Sequence, residues 1–289
     1  MPRQQLEIAT GFYTSDSLPL CAQRCINWIP VIPQAEALNQ RALFNAPGLT
    51  LFSTVTGVNR GGQEMKEVAY FVNGTSLFSV SSAGVSTNLG AIEGAGRVSL
   101  ANNGQYLVIV VPNGNAYAYD NVSSTLAEIT DVDFTARKAS AVIYKDGYFV
   151  FSSADGSVFF NSSLNDPFTF SGLDVGAAEI NPDRIVGLHV NHNELYVLGL
   201  ETIELFQNVG GSGFPFQRIP GANIQKGVHS SFSVSEFDNT FTFVGGGINE
   251  ASAIWKVTGS SSAVKISTSA IDNAIQQFTR AEIENCFSW

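Results

Sequence analysis

The chain has 289 residues, of which 14% are charged, with 15 basic against 25 acidic side chains and a net charge of −10. That length can bury a sizeable core, and 27 glycines beside so few charges mark a turn-rich globular chain, not a disordered one. The acidic balance, with no basic cluster beyond Arg137 and Lys138, argues against a protein that grips nucleic-acid phosphates.

The first 56 residues follow no repeat and read as an irregular arm. They open without an apolar signal core, and no run in the chain approaches 18 uncharged apolar residues, so a soluble protein made in a reducing cytoplasm is expected. Cys21, Cys25 and Cys286 are an odd set with no matching His or Cys pair, which suits neither a disulfide framework nor a zinc site. Pro30 and Pro33 argue against a regular element around them. The large apolar residues Phe12, Tyr13, Trp28 and Ile29 have no repeat of their own to fill. They are the candidate contacts with a neighbouring subunit or partner.

From residue 57 one pattern recurs five times. An apolar run, such as Val68–Val72, Tyr106–Val111, Tyr148–Phe151, Leu195–Leu198 or Phe241–Val244, climbs to a tight turn, and a second short strand returns. Anchored at Thr75, Asn115, Ser157, Thr202 and Ser252, the steps are 40, 42, 45 and 50 residues. Asn-Gly or Asp-Gly supplies the positive φ of tight hairpins, predicted at 73–74, 113–114 and 155–156. Each repeat opens with a strand (Arg97–Leu100, Ala141–Tyr144, Arg184–Val190) and closes with a weaker one (Ala127–Thr130, Ala263–Ile266). Strands at a period near 40 predict an all-β fold, a β-propeller of four-stranded blades of about 40–50 residues each. Residues 57–289 form that domain. Within Thr268–Phe278 the residues Ile271, Ala274, Ile275 and Phe278 fall at helical spacing. Ser269 with Asp272, and Thr279 with Glu282, read as caps, so one short helical insertion is expected near the C-terminus. Ile283–Trp289 reads as the first strand of a sixth blade. The remainder would come from a longer protein, or from the segment Leu43–Phe52.

No residue set assembles an active site. His189 and His192 stand three apart, on opposite faces of a strand, and a turn at 191–193 accounts for them; His229 is isolated. The glycine groups at 210–213 and 245–247 lack the Lys-Ser/Thr of a phosphate loop, and no Gly-x-Ser-x-Gly elbow occurs. Asp131 and Asp133, a conceivable glycosidase pair, read as solvated loop charges beside Arg137 and Lys138. Phe168, Phe170, Phe214 and Phe216 read as packing between blades. Neither a metal nor a cofactor is expected.

The order of certain motifs is similar to a known family. Met1–Leu6, Ile26–Pro30, Ala46–Leu49, Gly57–Gly61, Gly94–Ser99, Leu164–Asp166, Ala178–Asp183, Thr202–Phe206 and Gln225–Gly227 resemble, in that sequence, landmarks of the packaged-DNA stabilisation proteins. These are the tail hub or nozzle subunits of short-tailed bacteriophages. The resemblance runs from residue 1 to about 285 and implies a non-enzymatic virion protein made in the host bacterial cytoplasm. It further implies a ring, as a hexamer, below the portal-adaptor, extending the DNA channel and helping to retain packaged DNA. Partners would be the adaptor, a tail needle or plug, and tail spike or fibre proteins, with DNA passing unbound. Two other readings stand beside it. A glycan-binding or glycan-cleaving propeller needs an acidic and aromatic cluster at one channel end, and a cellular interaction propeller needs recurrent Gly-His and Trp-Asp signatures that this chain lacks.

Overall fold

The computed structural model describes residues 26–31, 42–178, 183–211 and 213–288. A two-stranded ribbon, β1 (Trp28–Val31) with β2 (Ala42–Asn45), precedes five antiparallel sheets. Sheet 1 comprises β3 (Asn59–Met65), β4 (Val68–Asn73), β5 (Ser76–Val80) and β6 (Ser86–Ala91). Sheet 2 comprises β7 (Ser99–Asn102), β8 (Tyr106–Val110), β9 (Ala116–Asp120) and β10 (Thr125–Glu128). Helix α1 (Val132–Arg137) leads to sheet 3, of β11 (Ala139–Lys145), β12 (Tyr148–Ser153), β13 (Phe159–Ser163) and β14 (Asp166–Gly176). Sheet 4 holds β15 (Ile185–Asn191), β16 (Glu194–Gly199), β17 (Ile203–Asn208) and β18 (Phe216–Ile224). Sheet 5 holds β19 (Gly227–Val228), β20 (Ser235–Phe237), β21 (Thr240–Gly246), β22 (Ala253–Val257) and β23 (Ala263–Lys265). Each of the first four sheets pairs its strands in chain order. This is the propeller that the repeat predicts.

The second strand of each sheet explains the apolar runs. Along β8, Leu107 and Ile109 pack against Tyr70, Val72 and Leu77 of sheet 1. The alternate residues Val108 and Val110 pack with Phe149 and Phe151 of sheet 3. In β12 the intervening Val150 faces sheet 4, joining Leu195 and Val197. In β16, Tyr196 and Leu198 turn the other way, toward Phe241 and Phe243 of sheet 5. A strand buried on both faces needs no polar alternation. Phe168 and Phe170 lie in the core between sheets 2 and 3, Phe214 and Phe216 in that between sheets 3 and 4.

The hairpins joining second and third strands fall where the repeat places them, with small shifts. In sheet 1 Asn73 pairs with Ser76, so the turn is 74–75 instead of 73–74. Val111 and Ser153 close longer loops onto Asn115 and Val158.

Several local expectations are corrected. Trp28–Val31 is a strand despite Pro30. A proline is tolerated in an edge strand whose missing N–H faces outward, and a two-stranded ribbon is all edge. Residues 131–138 are not an open loop: Asp131 caps α1, its Oδ1 accepting from Asp133 N at 2.8 Å and Phe134 N at 3.4 Å. The C-terminal helical part is two helices, α2 (Ser269–Gln276) and α3 (Arg280–Glu284). Thr279 and Glu282 form the expected capping box. The cap of α2 is instead Thr268, without a side-chain bond, while Asp272 accepts from Lys265 Nζ at 2.8 Å and from Ser267 Oγ. Ile283 and Glu284, expected to open a sixth blade, end α3, and 285–288 form no strand.

Candidate interaction surface

The ribbon pairs Trp28 with Asn45, Ile29 with Phe44, Pro30 with Leu43 and Val31 with Ala42. A two-stranded ribbon is marginal on its own in water, and among the described residues this one joins no larger sheet. Trp28 is 52% exposed, Ile29 49% and Phe44 58%. The lead-in that follows carries Leu49, Leu51, Phe52 and Val58, all strongly exposed. So many large apolar side chains, adjacent in sequence and open to water, make this a candidate contact surface.

The lead-in is tied to sheet 1 at a few points. Gly74 N–H donates to Val58 O at 2.9 Å, and Ser86 Oγ to Thr54 O at 3.5 Å. Gly57, at φ +94°, lets the chain cross the β4–β5 turn, where a Cβ would come within 2.7 Å of Gly74 N. Of the four residues singled out by sequence, Trp28 and Ile29 lie on this surface, and Phe12 and Tyr13 lie outside the described residues. Phe44, Leu49, Leu51, Phe52 and Val58 belong with them. Their signal was present in the sequence: large apolar residues among prolines and glycines, ahead of the first repeat.

Chemistry-bearing residues elsewhere have structural duties. His189 lies against Phe241, ring centroids 4.4 Å apart, and burial lowers its pKa to about 4. His192 sits in the two-residue turn between β15 and β16, at φ 52°. His229 is not isolated, because its Nδ1 is 2.8 Å from Ser252 Oγ. Both residues are buried, burial again lowers the imidazole pKa to about 4, and among the described residues no carboxylate hydrogen-bonds the ring. That leaves the hydroxyl–imidazole pair without the orienting third group of a nucleophilic triad. Asp131 cannot serve as half of a glycosidase pair, since its second oxygen accepts from Phe170 N at 3.3 Å. Among the described residues no group of three His, Cys, Asp or Glu could hold a metal ion. No helix there is long and apolar enough to cross a membrane.

Comparison with known proteins gives the surface a context. Residues 4–288 match the family described as bacteriophage P22 Gp10, β-propeller. The tail hub protein gp10 of Salmonella phage P22 is 27% identical over 307 aligned positions, which cover 98% of this chain and 61% of the phage protein. The chain thus spans about three-fifths of the length of that curated relative. Among solved structures, the extracellular domain of a one-component system from B. thetaiotaomicron superposes with a TM-score of 0.50 at 10% identity. That match covers 74% of this chain and 28% of the other, and is a likeness of fold alone. By the match over nearly its whole length, this chain belongs to the bacteriophage P22 Gp10 β-propeller family.

Proposed function

We propose that the chain is a structural, non-enzymatic subunit of a bacteriophage tail, assembling as a hexameric ring below the portal-adaptor. There it extends the DNA channel and helps to retain the packaged genome. The observation that carries the reading is the family match over residues 4–288, joined to the likeness to a tail hub protein. The exposed ribbon and lead-in supply the surface that such an assembly needs: Trp28, Ile29 and Phe44 contact the neighbouring subunit or the adaptor above. Phe12 and Tyr13 would extend the same contact. The needle or plug and the tail spikes or fibres are the distal partners. DNA passes without being bound, because an acidic chain neutralises no phosphates and gains nothing from counterion release.

Particles lacking the protein test this. They should fill their heads and then lose DNA, and electron microscopy should show them without the distal tail. Adding wild-type protein should restore both, whereas protein carrying Ile29→Ser and Phe44→Ser should not. Full retention of DNA in particles without the protein would refute the role.

A further inference from the structure

The first strands of the sheets pack on one another, β7 on β3 and β11, and β11 on β15, so they line the middle of the propeller. Where β11 and β15 begin there is a cavity of about 180 Å³. Asn113 reaches it from the β8–β9 loop, Ser140 from β11, Arg184 from just ahead of β15, His229 and Ser231 from just after β19, and Glu284 from α3. Backbone bonds fix these walls. Asn113 N–H donates to Ala139 O at 3.0 Å and Ile185 N–H to Gly156 O at 2.9 Å, each across two consecutive sheets, and Leu200 N–H donates to Arg184 O at 3.0 Å.

Most of the polar groups here are already engaged. Ser140 Oγ lies 2.8 Å from Ser152 Oγ, and Glu284 Oε1 accepts from Arg280 Nε at 3.0 Å. Arg184 is the exception, since among the described residues no carboxylate pairs with its guanidinium. Its stem overlies Gly156, where an added Cβ would come within 2.4 Å of Arg184 Cγ. The carboxylates flanking it in sequence are both spent elsewhere. Asp155 Oδ1 accepts from Ser153 Oγ at 2.6 Å and Ser157 N–H at 3.0 Å. Asp183 Oδ2 accepts from Glu201 N–H at 2.8 Å and Thr202 N–H at 2.9 Å.

An arginine without a counter-charge, beside the apolar Val186, Leu200 and Phe232, offers a planar fork that matches the two oxygens of a carboxylate. His229 supplies a second donor. Its Nδ1 is taken by Ser252 Oγ at 2.8 Å, which leaves Nε2 for the cavity. When the Ser252 hydroxyl donates to Nδ1, the neutral imidazole carries its proton on Nε2. At about 180 Å³ the space falls below the roughly 300–1,000 Å³ of pockets for drug-sized ligands, which limits the occupant to one short acid or one acidic side chain. We propose that this cavity binds a carboxylate, from a small free acid or from an Asp or Glu side chain of a protein partner, held by the Arg184 fork and by His229 Nε2–H.

Propionate is the probe. Proton–nitrogen correlation spectra of the imidazoles should show His229, assigned through its loss in His229→Gln, as the Nε2–H tautomer. Its Nε2 signal should move with propionate and saturate, half-way at roughly 1–10 mM, an ordinary range for so small a ligand. His192, beyond the far end of β15, should not move. Propionamide, the neutral isostere, should leave His229 unmoved at equal concentration; this comparison uses the unsubstituted protein and needs no variant to fold. Arg184→Gln should weaken propionate at least about tenfold, because the charged fork is lost, while melting like the parent. A capped Gly-Asp-Gly peptide separates the two sources. Saturation by it admits a partner's side chain, and its failure beside saturable propionate assigns the site to a free acid. A linear response to propionate, an equal response to propionamide, the Nδ1–H tautomer, or undiminished binding by Arg184→Gln would overturn the proposal.

Discussion

Replacing Asp131 by Ala probes whether this carboxylate is a loop charge or a structural cap. One oxygen accepts from the first turn of α1, and the other from the Phe170 backbone in β14. Loss of an N-cap costs about 1 kcal/mol. Orphaning the part-buried Phe170 N–H adds at least about 1 kcal/mol. Phe134, which the helix delivers into the cluster of Phe151, Phe160 and Phe170 at centroid separations of 5.3, 5.9 and 5.0 Å, would be held less firmly. The expected loss is thus about 2 kcal/mol, a fall in Tm of about 4 °C for a chain of this size. Thermal unfolding followed by circular dichroism measures it. Asp131→Asn, which keeps an accepting oxygen for the cap, should recover about half. If Asp131→Ala melts within about 1 °C of the parent, the carboxylate is solvated and the account of α1 is wrong.

Other outcomes follow from the same structure. Ile29→Ser with Phe44→Ser, a directly opposed pair on the ribbon, should leave unfolding within about 0.5 kcal/mol of the parent while abolishing assembly in sedimentation; a large loss of stability would make the ribbon core instead of surface. Gly57→Ala should cost roughly 1–3 kcal/mol because Ala must adopt a positive φ against the β4–β5 turn, seen as a lower urea midpoint. His189 and His229 are held by burial at pKa values of about 4, against an ordinary 6.5. Between those values the unfolded chain takes up protons that the folded one refuses, so stability is full above pH 6.5 and is lost as pH falls toward 4. Urea midpoints at pH 7.5 and 4.5 should differ accordingly, and by less in His189→Leu. Double-stranded DNA should bind no more tightly than about 10⁻⁴ M at physiological salt; micromolar anisotropy binding with a steep salt slope would reveal a basic surface.

The fold was legible because the two-faced burial of the second strands writes itself as apolar runs, and the hairpins after them as Asn-Gly and Asp-Gly. Where the signal was shorter than its element, the reading failed. Helix α1 has six residues, too few for helical periodicity to outweigh the Asp-rich composition of a loop. Ile283–Ser288 has a strand's composition but follows a strong capping box, and the cap decided its first two residues. Trp28 and Ile29 could be singled out because they had no repeat to fill. The rest of that surface carried the same signal, but Leu43–Phe52 also read as a segment that could complete a sixth blade. The pairing of His229 with Ser252 spans 23 residues and left no local trace.

Each apolar cluster draws on two consecutive sheets only, so stability in this chain is a sum over neighbouring pairs. No sheet can be secured until the next has left the ribosome: sheet 1 waits for Tyr119, sheet 2 for Phe170, sheet 3 for Phe216, sheet 4 for Val257. Folding can therefore advance in the order of synthesis, one sheet at a time, with a single sticky face at the growing end. Chaperones that shield exposed apolar surface during translation would have one such face to cover at each stage, renewed about every 40–50 residues.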